Sequence, residues 1–252
     1  MNDVEVIEIN KENIDVYPPR CFLKKDNPGQ IQKNQWVLNR LDEGMKIKLV
    51  LTKKDKKLIG YIEYIPSEYA WRAVDAKDLM FIHCIWVSPK KNREQGLGSL
   101  LINECITDSK KLGLSGVAVV TSSDSFMVDK EVFMKNDFNV VEEPRPYSLL
   151  VKHFKKNTDP FFLDWKAQLK KYEGFHIVYS CQCPWVARFM NEMKHRFKEL
   201  DLTVTELKTA KDAQHAPSIY ATFNLIHDGD LLADHYISER RFENIVKKEQ
   251  LG

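Results

Sequence analysis

The chain has 252 residues, 43% of them hydrophobic and 29% charged, with 10 Gly and 10 Pro. That is enough apolar side chain to bury a core, which excludes wholesale disorder, and the length suits one large domain or two modest ones. Thirty-eight basic against 36 acidic residues leave a net charge of +2; neither half is one-sidedly basic, so no nucleic-acid partner is expected.

In chain order, Val4, Glu5 and Val6 alternate as a short strand over 4–8. Asn27-Pro28 reads as an N-cap and first-turn proline, and Ile31, Leu38 and Leu41 recur at helical spacing until Gly44. Met45–Leu51 and Leu58–Ile65 flank the charged turn KKDKK and predict an antiparallel hairpin. A loop, IPSEYAWRAVDA, leads to the run Leu79–Val87, apolar on both faces except at His83, as an interior strand would be. This run is too short to cross a bilayer, so no membrane span is expected. After the loop SPKKNREQGLG, Leu97, Leu101, Cys105 and Leu112 predict a helix closed by Gly113. GVAVVT reads as a second buried strand, 128–136 as a shorter helix, and NVV and YSLLV as strands ending near residue 153.

The composition then shifts. HFKKNTDPFF is polar and WKAQLKKYEG reads as a bridging helix, so the expected division is a first domain over 1–153, a linker over 154–173 and a second domain over 174–252. In the second domain FHIVYS reads as a strand, CQCPW as a turn and Trp185–Leu200 as a helix with Phe189, Met193 and Phe197 on one face. LTVTEL is a further strand. YATFNLI and LLADHYI are joined by Asp228-Gly229, a hairpin signal, and Ser238 caps a last helix. MNDVEVIE has neither a basic nor an apolar leader segment, and five cysteines are an odd count; reduced thiols in a cytoplasm are the expectation.

Arg93-Glu94-Gln95-Gly96-Leu97-Gly98 lies between an apolar strand and a helix. Unpaired N–H groups at a helix N-terminus suit a pyrophosphate, and glycines let the backbone approach it. A Walker A loop would need Gly-Lys-Ser/Thr, and a Rossmann fingerprint a third small residue where Leu101 stands; neither fits.

On Arg93, Gly96 and Gly98, preceded by Ile85-Trp86-Val87 and Ser88-Pro89, and on the order of elements over about 3–153, the sequence resembles the GNAT acetyltransferase superfamily. The resemblance implies an α/β fold with a mixed, splayed sheet flanked by helices, and acetyl-CoA as acyl donor. It implies pantetheine along Ile85, Trp86 and Val87, with the strand GVAVVT splaying away to leave a V-shaped slot. The pyrophosphate would sit on the amides of residues 94–98, within a cofactor-binding loop of Arg93, Glu94, Gln95, Gly96, Leu97, Gly98 and Ser99. For direct transfer to an amine, His83 is the candidate base, since its ordinary pKa lies near working pH and it shares alternation with Phe81, Ile85 and Val87. Cys84 is expected on the opposite side of the strand, as a buried thiol. Many members carry a tyrosine acid on the short helix, where this sequence has Phe133; Tyr147, Ser122, Ser123 or a water stand as alternatives. Trp71 and Arg72 are candidates for holding the acceptor, the guanidinium for a carboxylate.

Cys181-Gln182-Cys183-Pro184-Trp185 sits at a strand-to-helix turn. The elements around it look like the thioredoxin-like fold, with Pro217 as the candidate cis-proline. Near a helix N-terminus Cys183 should be the more acidic thiol. Two sulfurs two positions apart supply half a zinc site, so no metal is predicted. The loop IPSEYAWR, the run IHCIW and CQCPW together look like the YoaP-like group of bacterial acetyltransferases. The expected activity is N-acetyl transfer from acetyl-CoA to a primary amine of a small molecule in a ternary complex. The alternative is a thiol-redox or soft-metal sensor whose GNAT domain binds CoA without efficient turnover.

Overall fold

Seven strands form the larger sheet in a computed structural model that describes residues 3–92, 95–124, 127–200 and 202–251. The chain folds as two units that alternate along the sequence. The first comprises Met1–Pro19, Leu38–Ala70 and Asp75–Phe161; the second comprises Arg20–Val37, Trp71–Val74 and Phe162–Gly252.

In the first unit, β1 (Val4–Glu8) is followed by α1 (Pro28–Leu41), which begins in the second unit. Asn27 Oδ1 caps α1 by accepting from Gly29 N at 3.0 Å, as the Asn-Pro signal predicts. The hairpin is β2 (Lys46–Thr52) and β3 (Leu58–Pro66). After the two-residue β4 (Val74–Asp75) come β5 (Leu79–Val87), α2 (Leu97–Lys111), β6 (Gly116–Ser122), α3 (Lys130–Met134), β7 (Asn139–Glu142) and β8 (Tyr147–His153). The sheet order is β1-β2-β3-β5-β6-β8-β7, in which β5 and β6 run parallel and every other pair antiparallel.

The helix spacing in α2 works as predicted. Leu97, Leu101, Ile102 and Cys105 bury against Val50, Ile62, Ile82 and Val119 of the sheet. One polar cluster interrupts this face. Asp108 on α2 is 2% exposed and meets Lys48 Nζ at 3.0 Å and Tyr64 OH at 2.7 Å, while Lys48 also reaches Glu104 at 2.8 Å. A charge sunk in a core persists only when matched in this way.

The second unit carries β9 (Phe161–Phe162), at the chain's crossing between units, and α4 (Trp165–Leu169), so the predicted bridging helix is a single turn and a half. Then follow β10 (Phe175–Tyr179), α5 (Pro184–Glu199), β11 (Thr203–Glu206), α6 (Ala210–Gln214), β12 (Phe223–His227), β13 (Asp230–Ala233) and α7 (Glu239–Leu251). The sheet order is β11-β10-β12-β13, parallel between β10 and β11 and antiparallel elsewhere. Phe189, Met193 and Phe197 of α5 and Phe242 and Val246 of α7 pack with Ile177, Phe223 and Leu225. Asp228 and Gly229 both take positive φ, 46° and 80°, the geometry a two-residue hairpin demands. The hairpin strands are shorter than predicted. Ala221, at φ 58°, delays the start of β12 to Phe223, and β13 ends at Ala233. Helix α6 was not predicted; its capping box, Thr209 with Asp212, is legible in the sequence.

Candidate active site

The backbone of β5 defines the site. Its parallel pairing with β6 runs only from Leu79↔Gly116 to Ile82↔Val119, yet β5 continues to Val87 and β6 to Ser122. From His83 onward the two strands have parted. On its other edge β5 stays paired with β3, and Ser88 N donates to Ile59 O at 2.9 Å. Hydrogen-bonded and non-hydrogen-bonded positions alternate along an antiparallel pair, so Trp86 is bonded to β3. The N–H and C=O of Ile85 and Val87 therefore face the parted side. An extended amide-bearing chain laid there would find the donors and acceptors of a missing strand.

Gly96 precedes α2 in a left-handed conformation, φ 74°, and Leu100 N makes a first helical bond to Gly96 O at 2.9 Å. The amides of Leu97, Gly98 and Ser99 thus stand at the helix start with the positive end of the dipole. Among the described residues a Cβ built on Gly98 would meet only Val132 Cγ1, at 3.8 Å, an ordinary contact. Nothing among the described residues requires glycine there; the bareness is available to an anion pressed onto the helix end. Gln95 and Gly96 are exposed and Leu97 is buried, whereas Arg93 and Glu94 lie outside the described residues.

His83 differs from expectation in one respect. Between Glu63↔Cys84 and Tyr64↔Ile82 the β3–β5 register slips by one, so His83 is the extra residue of a β-bulge. The bulge resets alternation: Ile82 and Ile85 both pack against α2. His83 accordingly shares a face with Phe81, at 5.8 Å between ring centroids, and not with Ile85 and Val87. For the same reason Cys84, paired with Glu63, is on the His83 face rather than opposite it. On that face His83 Nδ1 lies 3.4 Å from Glu63 Oε1, and Tyr61 OH donates to Glu63 Oε2 at 2.6 Å. The His83 and Glu63 side chains are 0% and 1% exposed. Trp86 stacks on Tyr61 at 5.8 Å. Glu63 was missed in the sequence, although a lone acid in the otherwise apolar run LIGYIEYI was the available signal.

Phe133 is buried in the α2-side core, edge-on to Phe138 at 5.4 Å. Tyr147 is buried opposite Ser122, whose Oγ accepts from Asp124 N at 3.2 Å, and Ser123 is exposed. Beyond the parted end of β6 lies a cavity of about 400 Å³ lined by Thr121, Ser123, Asp129, Lys130, Arg145 and Tyr147, among others.

Trp71 and Arg72 belong to the second unit. Trp71 packs edge-on to Trp36 at 5.0 Å. The Arg72 guanidinium, 2% exposed, donates to Gln182 Oε1 at 2.6 Å and lies over the Tyr220 ring at 4.7 Å. Gln182, between the two cysteines, also accepts from Thr222 Oγ1 at 3.3 Å. Arg72 is therefore a buried prop of the cysteine turn. Cys183 is the N-cap residue of α5 with Pro184 at the first position, and is half-buried. Cys181 is buried, with Sγ 3.4 Å from Glu206 Oε1; burial, with the Glu206 carboxylate beside it, pushes its thiol up to about 12. Neither cysteine is in a disulfide, and no group of three or more metal-ligating His, Cys, Asp or Glu occurs among the described residues. The cis prolines are Pro89 and Pro146; the bond before Pro217 is trans, so Pro217 is not the cis-proline expected from the sequence.

Residues 11–128 match the family model described as acetyltransferase (GNAT) family, and residues 201–244 match a YoaP-like model. The parted strands and the glycine-led helix start agree with these matches: the chain carries an acetyltransferase (GNAT) domain at 11–128 and a YoaP-like domain at 201–244, as an acyltransferase does. It is similar to a protein of Bacillus subtilis (strain 168) named uncharacterized N-acetyltransferase YoaP, with 29% identity over 252 residues covering 95% of this chain and 97% of the relative. Among solved structures it is similar to the PaiA N-acetyltransferase of Thermoplasma acidophilum in complex with coenzyme A, at 15% identity over 60% of this chain and 99% of that one, with a TM-score of 0.44. A GNAT-family acetyltransferase of Staphylococcus aureus Mu50 gives 16% identity over 60% and 99%, with a TM-score of 0.42.

Proposed function

We propose that the protein transfers an acetyl group from acetyl-CoA to a primary amine of a small molecule by direct attack in a ternary complex. The observation that carries this reading is the parting of β5 from β6 at His83, with the Ile85 and Val87 amides turned to the gap. Pantetheine fits that edge as a substitute strand, and the pyrophosphate fits the amides of Leu97, Gly98 and Ser99. Arg93, Glu94, Gln95 and Gly96 complete the proposed donor loop, and Trp86 flanks it from β5.

In this reading the amine nitrogen attacks the thioester carbonyl carbon, forming the C–N bond while the C–S bond breaks and the thiolate leaves. His83 takes the ammonium proton, and the thiolate gains its proton from Tyr147, a serine of 122–123 or water. A backbone N–H on the open edge of β5 stabilises the developing oxyanion. Near the end of β6, the cavity's mixture of carboxylates and cations supports a small polar acceptor. The second domain, over 174–252, is read as thioredoxin-like. Its parallel β10–β11 pair followed by the antiparallel β12–β13 hairpin supports the thioredoxin-like reading. The test is thiol release from acetyl-CoA across a panel of amines, with Gly98→Glu as control. Acceptor-dependent turnover lost in the variant is the expected result; neither turnover nor CoA binding in the native chain would overturn the proposal.

A further inference from the structure

Five charged side chains line the cavity beyond the end of β6, and only two of them neutralise one another. Lys130 Nζ and Ser148 Oγ both donate to Glu143 Oε1, the hydroxyl at 2.9 Å. The bond between the two charged groups holds Lys130 above its ordinary range and, with that from Ser148, holds Glu143 below the usual carboxylate range. The pair therefore stays ionised and cancels. Its anchor is part of the sheet. Ser148 of β8 is 5% exposed and lies opposite Thr121 of β6, 2% exposed, whose hydroxyl donates to Ser148 O at 3.4 Å. Arg145, on the turn between β7 and β8, adds its charge to the field at Glu143 yet has no ion pair or hydrogen bond among the described residues. Asp129 precedes α3 without accepting a cap bond, and the Asp124 carboxylate accepts only a 3.4 Å bond from Ser123 Oγ among those residues.

We infer that the acceptor is a free amino acid, its carboxylate taken by the Arg145 guanidinium and its ammonium drawn to the side of Asp124 and Asp129. This deepens the proposed acetyl transfer and rests on the cavity being its acceptor site. Three acids against two cations leave the lining one unit negative, which repels an amine carrying a phosphate or a second anion. A plain amine satisfies the acids but leaves the guanidinium without an anion. A zwitterion answers both demands. The planar fork of arginine matches the two oxygens of a carboxylate, and a bidentate pair fixes direction as well as affinity. At about 400 Å³ the cavity is near the small end of ligand sites, as a free amino acid requires. The two aspartates bring the amine in as its ammonium, the form that then needs a base before it can attack. Arg145 is thus the specificity-determining residue of the site.

The experiment uses the full chain, acetyl-CoA and the common amino acids, each beside its own carboxamide. The amide is uncharged at that end and its amine loses a proton more easily, so basicity favours the amide and charge recognition favours the acid. For the amino acids that turn over, KM is expected to be roughly tenfold lower than for the matching amide. Arg145→Gln should bring the two KM values to within about twofold, and Arg145→Lys, which keeps the charge without the fork, should restore part of the preference. Equal KM values in the native chain, or a preference that survives Arg145→Gln, would overturn the inference and leave acetyl transfer standing. Transfer to amides or plain amines alone would do the same. Turnover with no amine at all would instead sink the acetyl-transfer reading, and calorimetric titration with the amino acids then decides the site by itself. Binding that weakens in Arg145→Gln upholds it, and no binding to the native chain refutes it.

Discussion

Gly98→Ala separates a glycine needed for folding from one needed for a ligand. The φ of Gly98 lies outside the left-handed region, and the new Cβ would sit 3.8 Å from its nearest neighbour among the described residues, Val132 Cγ1, a spacing that accepts the methyl without strain. Alanine also restricts the unfolded chain and favours the helix, an effect of about 0.4–1 kcal/mol at compatible sites. For a domain of this size that is a rise in Tm of about 1–4 °C. Binding should move the other way. A methyl group inserted where a phosphate meets the amides of Leu97 and Ser99 holds it off by a fraction of its approach, and an affinity loss of roughly tenfold, about 1.4 kcal/mol, is expected. Calorimetric titration of acetyl-CoA and thermal unfolding of the same preparation measure both signs together. Unchanged affinity would refute the idea that the glycine exists for the donor. A fall in Tm would refute the reading of the space around it.

Two further outcomes test the electrostatics of each unit. Burial opposes ionisation of Asp108, but hydrogen bonds from Tyr64 and Lys48 and the charges of Lys48 and Lys46 outweigh it and hold the carboxyl well below the usual range. A depressed carboxyl stabilises the fold above the unfolded-state pKa, about 3.9, and that stability is lost as pH falls toward the folded-state value. Asp108→Asn should therefore cost about 2–3 kcal/mol in urea unfolding at pH 7, below the ~3–5 of a fully buried broken pair because Glu104 and Glu8 remain on Lys48. The deficit should shrink below about pH 4, and an equal deficit at pH 2 would contradict the assignment. In the second unit, iodoacetamide at neutral pH should label Cys183 at least about tenfold faster than Cys181, read by peptide mass mapping. Glu206→Gln should bring the onset of Cys181 labelling to lower pH, leaving burial as the main force raising it. Preferential labelling of Cys181 in the native chain would reverse the roles given to the two thiols.

Local physics made most of the elements legible. Asn27-Pro28, Asp228-Gly229 and Ser238 announce their structures because each satisfies a backbone requirement within a few residues; Ser238 Oγ accepts from Arg241 N at 3.3 Å. Periodicity likewise identified α2 and α5, since the face they bury repeats every three to four residues. What escaped was long-range. Arg72 sits in a loop whose sequence suggests an exposed cation, yet its partners, Gln182 and Tyr220, lie more than a hundred residues away. The same holds for α1. Its first turns fold with the second unit, where a Cβ on Gly29 would run into Pro184 O and the Arg188 backbone, a fit no local pattern encodes.

The bulge at His83 is the sharpest instance, because it makes a correct residue carry a wrong direction. Strict period-two counting over LMFIHCIWV puts His83 with Ile85 and Val87 and sets Cys84 opposite. Both inferences follow if pairing is uniform, and both fail when one residue is inserted. The sequence holds the reason in β3. Glu63, between Tyr61 and Ile65 on one face, needs a polar partner across the strand, and uniform register would have to supply it without disturbing the apolar residues that seal α2. Ile82 and Ile85 are three apart and both must reach α2, which an unbroken strand cannot arrange. Two apolar residues at odd separation around a histidine, facing a strand with a lone glutamate, therefore amount to a request for a bulge. In this protein the slip falls where the sheet opens, so the residue at which uniform counting fails is also the one at which β5 leaves β6.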